Sequence, residues 1–108
     1  MIFHLAVADE WHSEGGAYEP ESLTTEGFIH CSTASQLIDV ANSLFHGRHD
    51  LVLLTIEPDL LSAPLVFEDC YDTGERFPHV YGRLGPEAIV DERPFRPGPD
   101  GRFAWDAH

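Results

Sequence analysis

The sequence contains no lysine, so all six of its basic residues are arginines. A Schiff-base lysine, a phosphate-binding lysine of the Walker type and a polybasic surface are therefore excluded. Two cysteines, Cys31 and Cys70, are too few for a disulfide framework. No apolar run approaches the roughly 20 residues of a transmembrane helix, and the first residues lack the charged start of a signal peptide. We therefore expect a cytoplasmic protein with no membrane segment.

Acidic residues outnumber basic ones by 19 to 6, which gives a net charge of −13 with histidine neutral. Such a surface repels the phosphates of a nucleic acid strand, so a nucleic-acid partner is disfavoured. A small phosphorylated ligand is compatible with this charge if a few arginines converge. The 108 residues predict a single domain spanning 1–108.

The pattern of apolar residues predicts an α+β fold with six or more short strands and one main helix at about 33–46. Thr33 and Gln36 have the spacing of a capping box, and an apolar stripe follows them at three- and four-residue steps. Residues 51–56 predict a central strand buried on both faces. We expect a loop that ends near Thr25 and a last short strand at 103–105.

Seven histidines are unusually many for this length, and three of them lie in apolar, strand-like segments. These three are His4, His30 and His79. A single histidine in such a segment is usually a core residue with satisfied hydrogen bonds. Three of them need three sets of polar partners when buried, so their convergence would indicate a functional cleft.

His30 lies in the densest of these segments, residues 27–32. Because side chains alternate along a strand, His30 and Ser32 share one face and Cys31 points the other way. Ser32 also precedes the main helix, where free amides favour an anion, so it could cap that helix or contact a ligand. A nucleophilic pair of Cys31 with His30 is disfavoured, since the two side chains lie on opposite faces.

His79 shares a strand face with Tyr81 by the same alternation. Glu68, at the end of an apolar strand, could orient a histidine or bind a sugar hydroxyl, or could be an ordinary solvated carboxylate. The three histidines with Glu68 could also hold zinc. None of them shows the short spacing typical of histidine-rich metal sites, so we expect no metal.

Several strings of this sequence resemble the bacterial and plant family known as domain of unknown function 952. The most specific are Glu-Gly-Phe-Ile-His-Cys-Ser at 26–32 and Phe-Pro-His-Val-Tyr-Gly at 77–82. The resemblance runs from residue 2 to about 90. The other matching positions are residues 2–5, Trp11, residues 18–23, Gln36, residues 40–42, residues 50–54 and Glu68.

The resemblance implies a fold similar to the ADP-ribosyltransferases, nearest to the branch that contains RNA 2′-phosphotransferase. Members of that branch place one histidine on each of the first two core strands, which here are His4 and His30. Both would then face a cleft for NAD or a related nucleotide, with His4 at a ribose hydroxyl or diphosphate oxygen. His30 and Ser32 would contact the nicotinamide end, and Tyr81 or Phe28 would stack on a ring.

A carboxylate near the ribose normally helps to break the glycosidic bond of NAD, although the related branch has an apolar residue at that position, and Glu68 is an available carboxylate. Arg76 and Arg83 flank the segment that carries His79 and could hold a diphosphate. The sequence is therefore compatible with three functions. The protein could be an enzyme that cleaves NAD or transfers a group from it, a non-catalytic module that binds a nucleotide-like small molecule, or a histidine-based metalloprotein.

Overall fold

A computed structural model describes residues 1–11, 16–69 and 72–105. The α+β prediction is confirmed, with six strands and two α-helices in the described part of the chain. Single 3₁₀ turns lie at Pro58–Leu60 and Pro86–Ala88. Cys70 lies outside the described residues. The strands are β1 (Ile2–Val7), β2 (Ile29–His30), β3 (Leu51–Ile56), β4 (Leu65–Glu68), β5 (Phe77–Val80) and β6 (Ile89–Phe95), and the helices are α1 (Glu21–Thr25) and α2 (Leu37–Leu44).

The strands form two antiparallel sheets of three strands each. The first has the order β1-β3-β6 and the second the order β2-β5-β4. The central position of β3 confirms the prediction for residues 51–56. Its side chains are buried on both sides because Leu54 and Ile56 face one core while Leu51 and Leu53 face another.

Two apolar cores therefore lie on opposite sides of the first sheet. On one side, Ile2 and Ala6 of β1 pack with Ile29 and Val80 of the second sheet. On the other side, the β3 residues pack against α2 and a segment near the carboxyl end of the chain. Its apolar side chains include Leu37, Ala41, Phe95 and Phe103. The order of layers is thus second sheet, first sheet, helix.

The two sheets meet at a bridge between Phe3 and Ser32. The amide of Phe3 donates to the carbonyl of Ser32 at 2.8 Å, and the reverse bond is 2.7 Å. The preceding residue, Cys31, donates its amide to the carbonyl of Pro78 at 3.0 Å. Pro78 has no N–H to return, so this pair has one hydrogen bond and regular β2 pairing ends at His30.

The main helix is confirmed, but it is shorter than the predicted 33–46. A turn precedes it: the amides of Gln36 and Leu37 both donate to the carbonyl of Thr33 at 3.1 Å. The Gln36 side chain accepts from the amide of Thr33 at 3.0 Å, which is half of the expected capping box. The helix ends at Leu44, and Gly47 turns the chain with φ of 78°.

Two other predictions of local structure are wrong. The expected loop before Thr25 contains α1, a helix of five residues that is too short to show a periodic apolar stripe. Residues 103–105 form no strand, and Phe103 instead packs its ring on Phe95 with centroids 5.1 Å apart. No helix in the described ranges is long and apolar enough to cross a membrane.

Candidate functional site

The outer face of the second sheet carries five of the residues that the sequence singles out. Ile29 and Val80 point into the core, so the adjacent His30 and His79 point to the opposite face. These two histidines are register partners on β2 and β5, which brings them side by side. We call the group on this face the outer-face cluster: Phe28, His30, Glu68, His79 and Tyr81.

The rings of the outer-face cluster pack around Phe28. Its ring stacks on that of His79, with centroids 4.0 Å apart and planes 19° apart. His30 meets Phe28 edge-on at 4.8 Å, and Tyr81 lies 5.3 Å from it. The rings of His30 and His79 are 5.5 Å apart. Phe28 and His79 are buried, whereas Tyr81 is 37% exposed, so the cluster has a buried floor and an accessible rim.

Glu68 joins the floor of the cluster to its rim. One of its oxygens, Oε1, accepts a hydrogen bond from Nδ1 of His79 at 2.9 Å and another from the Tyr81 hydroxyl. Because a carboxylate oxygen only accepts, the proton of the His79 ring is on Nδ1 in this pair. The Glu68 side chain is 28% exposed. The arrangement holds a carboxylate in a fixed orientation beside the imidazole ring of His79.

His30 is paired with a second carboxylate, that of Glu26. Its Nε2 lies 2.6 Å from Glu26 Oε2, and both side chains are about two-fifths exposed. Gly27 has φ of 90°, a conformation that favours glycine, and it turns the chain from α1 into β2 so that Glu26 lies beside the strand. The sequence analysis did not identify Glu26 as a site residue. The feature of the sequence that indicates this contact is a carboxylate four residues before His30, with a glycine between the two.

His4 lies behind the outer-face cluster, on the side of β1 that faces the core between the sheets. Its Nδ1 donates to the backbone carbonyl of His30 at 2.5 Å, since a carbonyl only accepts. Burial lowers the pKa of His4 from 6.5 to about 4, so the ring is neutral at pH 7. Its Nε2 therefore accepts from the Tyr18 hydroxyl at 2.9 Å. Burial also raises the pKa of Tyr18, which keeps that donor protonated.

Both ring nitrogens of His4 are thus engaged by the protein. The structure brings His30 and His79 together, whereas His4 touches His30 only through the main chain. Its physical role in this arrangement is to hold the β2 backbone, and with it His30, in position.

Ser32 is buried at the junction of the sheets and pairs with Phe3. The residue that precedes α2 is Gln36, so the interpretation of Ser32 as the cap of this helix is wrong. A ligand contact for Ser32 stays a prediction. Arg76 and Arg83 are exposed and lie just before and just after β5.

Gln36 positions the start of β5, a role that the sequence did not reveal beyond its capping-box spacing. Its Nε2 donates to the carbonyl of Arg76 at 2.6 Å and to Glu75 Oε2 at 3.1 Å. The side chain is buried, so the three hydrogen bonds it makes are shielded from water. They link the turn before α2 to the strand that carries His79.

The structure also bears on a metal site and on a cysteine nucleophile. Within residues 1–11, 16–69 and 72–105, no three His, Cys, Asp or Glu side chains are arranged as metal ligands. Cys31 is buried on the core side of β2, as the alternation predicts, and burial raises the pKa of its thiol to about 12. The thiol is therefore protonated at pH 7, a form that is a poor nucleophile.

A family model described as "Protein of unknown function (DUF952)" matches residues 5–92. The chain belongs to this family. The range that the DUF952 model matches contains the whole outer-face cluster together with Glu26. None of the curated proteins matches the chain.

Solved structures show the same DUF952 architecture in protein CC0527 of Caulobacter crescentus. Its crystal structure is similar to this chain with a TM-score of 0.81 and 30% identity, over 95% of this chain and 92% of that one. The crystal structure of a double mutant has a TM-score of 0.81 and 29% identity, over the same shares of the two chains. A solution NMR structure has a TM-score of 0.78 and 30% identity, over 94% of this chain and 89% of that one. This chain is therefore similar in fold to CC0527 over nearly all of its length.

Proposed function

We propose that this DUF952 domain binds the nicotinamide-ribose end of NAD⁺, or of a related nucleotide, at the outer-face cluster. The observation that carries the proposal is Glu68, whose carboxylate is held by His79 and Tyr81 in the cluster that also contains the partly exposed ring of His30. A similarity in fold to the ADP-ribosyltransferases forms part of the same proposal. The likeness suggests which ligand to test, and the charges of the site give the physical reason.

The nicotinamide ring of NAD⁺ carries a positive charge, and the cluster offers it an anionic and aromatic environment. Two carboxylates, those of Glu26 and Glu68, lie on this face, and the phenol ring of Tyr81 is partly exposed. A cationic ring is attracted both to carboxylates and to the face of an aromatic side chain. Arg76, just before β5, or Arg83, in the segment that follows it, would bind the diphosphate.

The same groups suit cleavage of the nicotinamide-ribose bond by water. As the C–N bond breaks, its electron pair leaves with nicotinamide and positive charge develops on the ribose, where the Glu68 carboxylate would stabilise it. A water molecule would then add to the ribose carbon, and its proton would pass to His30, whose ring is oriented by Glu26. The products would be nicotinamide, ADP-ribose and one proton.

A second candidate function is a binding module without catalysis. The observation that favours it is the double engagement of Glu68, since a carboxylate oxygen that already accepts two hydrogen bonds is less nucleophilic and less basic. Such a site would recognise a nucleotide-like small molecule and leave its glycosidic bond intact.

One pair of measurements tests both candidates. Purified protein is titrated with NAD⁺ by calorimetry, and released nicotinamide is followed by chromatography for the wild type, Glu68→Gln and Tyr81→Phe. Glu87→Gln is the matched control, because Glu87 is exposed and lies in a 3₁₀ turn away from the cluster. Release that is lost in Glu68→Gln and kept in Glu87→Gln supports the enzyme.

The remaining outcomes are equally informative. Binding without release, weakened by Glu68→Gln, supports the module. Binding that is the same in Glu68→Gln and Glu87→Gln, or no binding of NAD⁺ at millimolar concentration, contradicts the proposal.

A further inference from the structure

A second surface stands out on the opposite side of the first sheet, where α2 leaves part of the strands uncovered. An α-helix of eight residues is about 12 Å long, whereas the seven residues of β6 extend for roughly 23 Å. The helix covers the end of the sheet near Leu51 and Phe95. Phe3, Thr55 and Asp91 lie side by side in register toward the other end, and an open groove of about 260 Å³ extends from there along β6 to Phe95 and Arg96.

Two aromatic side chains form the walls of this groove. Phe3 and Trp105 meet edge to face, with ring centroids 5.3 Å apart and planes 71° apart. The indole N–H of Trp105 donates to the carbonyl of Ala34 at 3.2 Å, which fixes the orientation of the ring. Trp105 nevertheless remains 45% exposed. A large aromatic surface is therefore held in place and left open to a planar ligand.

The polar lining of the groove has a positive character, which is unusual for a chain with a net charge of −13. Arg93 is paired with Asp91, its Nε lying 2.8 Å from Asp91 Oδ2. Arg96 also lines the groove and takes part in none of the ion pairs among the described residues. Thr55, half-buried in the lining, is the register partner of Asp91. The excess charge at this groove is thus that of Arg96.

We propose that this groove is a binding site for a small aromatic carboxylate. The planar ring packs against Trp105 and Phe3, and the carboxylate accepts hydrogen bonds from the guanidinium of Arg96. A carboxylate is the fitting anion because a guanidinium binds it through two parallel hydrogen bonds. The site lies on the side of the first sheet that faces away from the outer-face cluster, and it is independent of the function proposed for that cluster.

Benzoate and benzamide are suitable probes, because they have nearly the same shape and differ in charge. Each is titrated into ¹⁵N-labelled protein while the indole N–H of Trp105 and the backbone amides of Thr55 and Arg96 are followed by NMR. We expect benzoate to shift these signals and to bind about tenfold more tightly than benzamide, the difference between a charge-assisted and a neutral hydrogen bond.

Two variants separate the charge of Arg96 from the general charge of the protein. Arg96→Gln should bring the benzoate affinity down to that of benzamide. Arg102→Gln is the matched control, since Arg102 is exposed and lies outside the lining of the groove, and it should keep the tenfold preference. Equal affinity for the two probes in the wild type, an unchanged preference in Arg96→Gln, or shifts confined to residues away from the groove would each overturn the proposal.

Discussion

Acid pH should destabilise the protein through His4. In the folded state its ring is buried and neutral with a pKa of about 4, compared with 6.5 in an unfolded chain. Above pH 6.5 neither state binds the proton, so His4 causes no pH dependence there. As the pH falls below 6.5 the unfolded state takes up the proton and the folded state does not, so the free energy of unfolding decreases until the folded pKa is reached.

The size of this effect follows from the two pKa values. Between pH 7.5 and pH 4.5, linkage gives a loss of about 2.5 kcal/mol from His4. Urea unfolding of the wild type and His4→Asn at several pH values measures it. Asparagine does not titrate, and its amide can still donate to the carbonyl of His30. Over this pH interval the free energy of unfolding should therefore decrease by about 2.5 kcal/mol less for His4→Asn than for the wild type.

The carboxylates that titrate near pH 4 are present in both proteins, so their contribution cancels in this comparison. His49→Asn serves as the matched control because His49 is exposed, and its pH dependence should follow that of the wild type. Parallel loss of stability in the wild type and His4→Asn would refute the assignment of His4 as a buried neutral ring.

Two further predictions concern buried groups near the outer-face cluster. Burial raises the pKa of the Cys31 thiol to about 12, so this thiol should react with a disulfide reagent at pH 8 only after unfolding. The measurement uses Cys70→Ser protein, in which Cys31 is the one remaining cysteine. Rapid labelling of the folded protein would contradict the buried position of Cys31. Gln36→Ala should lower the free energy of unfolding by about 2 kcal/mol, because it removes the hydrogen bonds of a buried side chain and leaves the carbonyl of Arg76 without this donor. Ser35→Ala, at an exposed position, is its control in urea unfolding, and equal stability of the two variants would rule out the positioning role of Gln36.

The features that sequence patterns predict well in this protein are local ones. The apolar stripe after Gln36 locates α2, and the unbroken run at 51–56 locates the central strand. Alternation along single strands also separates Cys31, in the core, from His30, on the outer face. Each of these depends only on neighbouring residues, which the sequence displays directly.

The pairing of strands is the part that the sequence does not display. His30 and His79 lie on separate strands, and only the antiparallel pairing of β2 with β5 places their rings together. His4 occupies a similar apolar strand, yet the packing of the two sheets turns it toward the core, where Tyr18 and a backbone carbonyl satisfy it. Glu26 reaches His30 because Gly27 adopts a positive φ, which depends on how α1 is joined to β2.

Mapping of NAD⁺ binding by NMR tests the central claim most directly. Titration of NAD⁺ into ¹⁵N-labelled protein should give its largest shifts at His30, Glu68 and Tyr81. NADH, whose reduced nicotinamide ring is neutral, should bind more weakly, and Glu68→Gln should reduce the difference between the two. If NAD⁺ causes no shifts on the outer face, or shifts only residues elsewhere, then the outer-face cluster is not the nucleotide site.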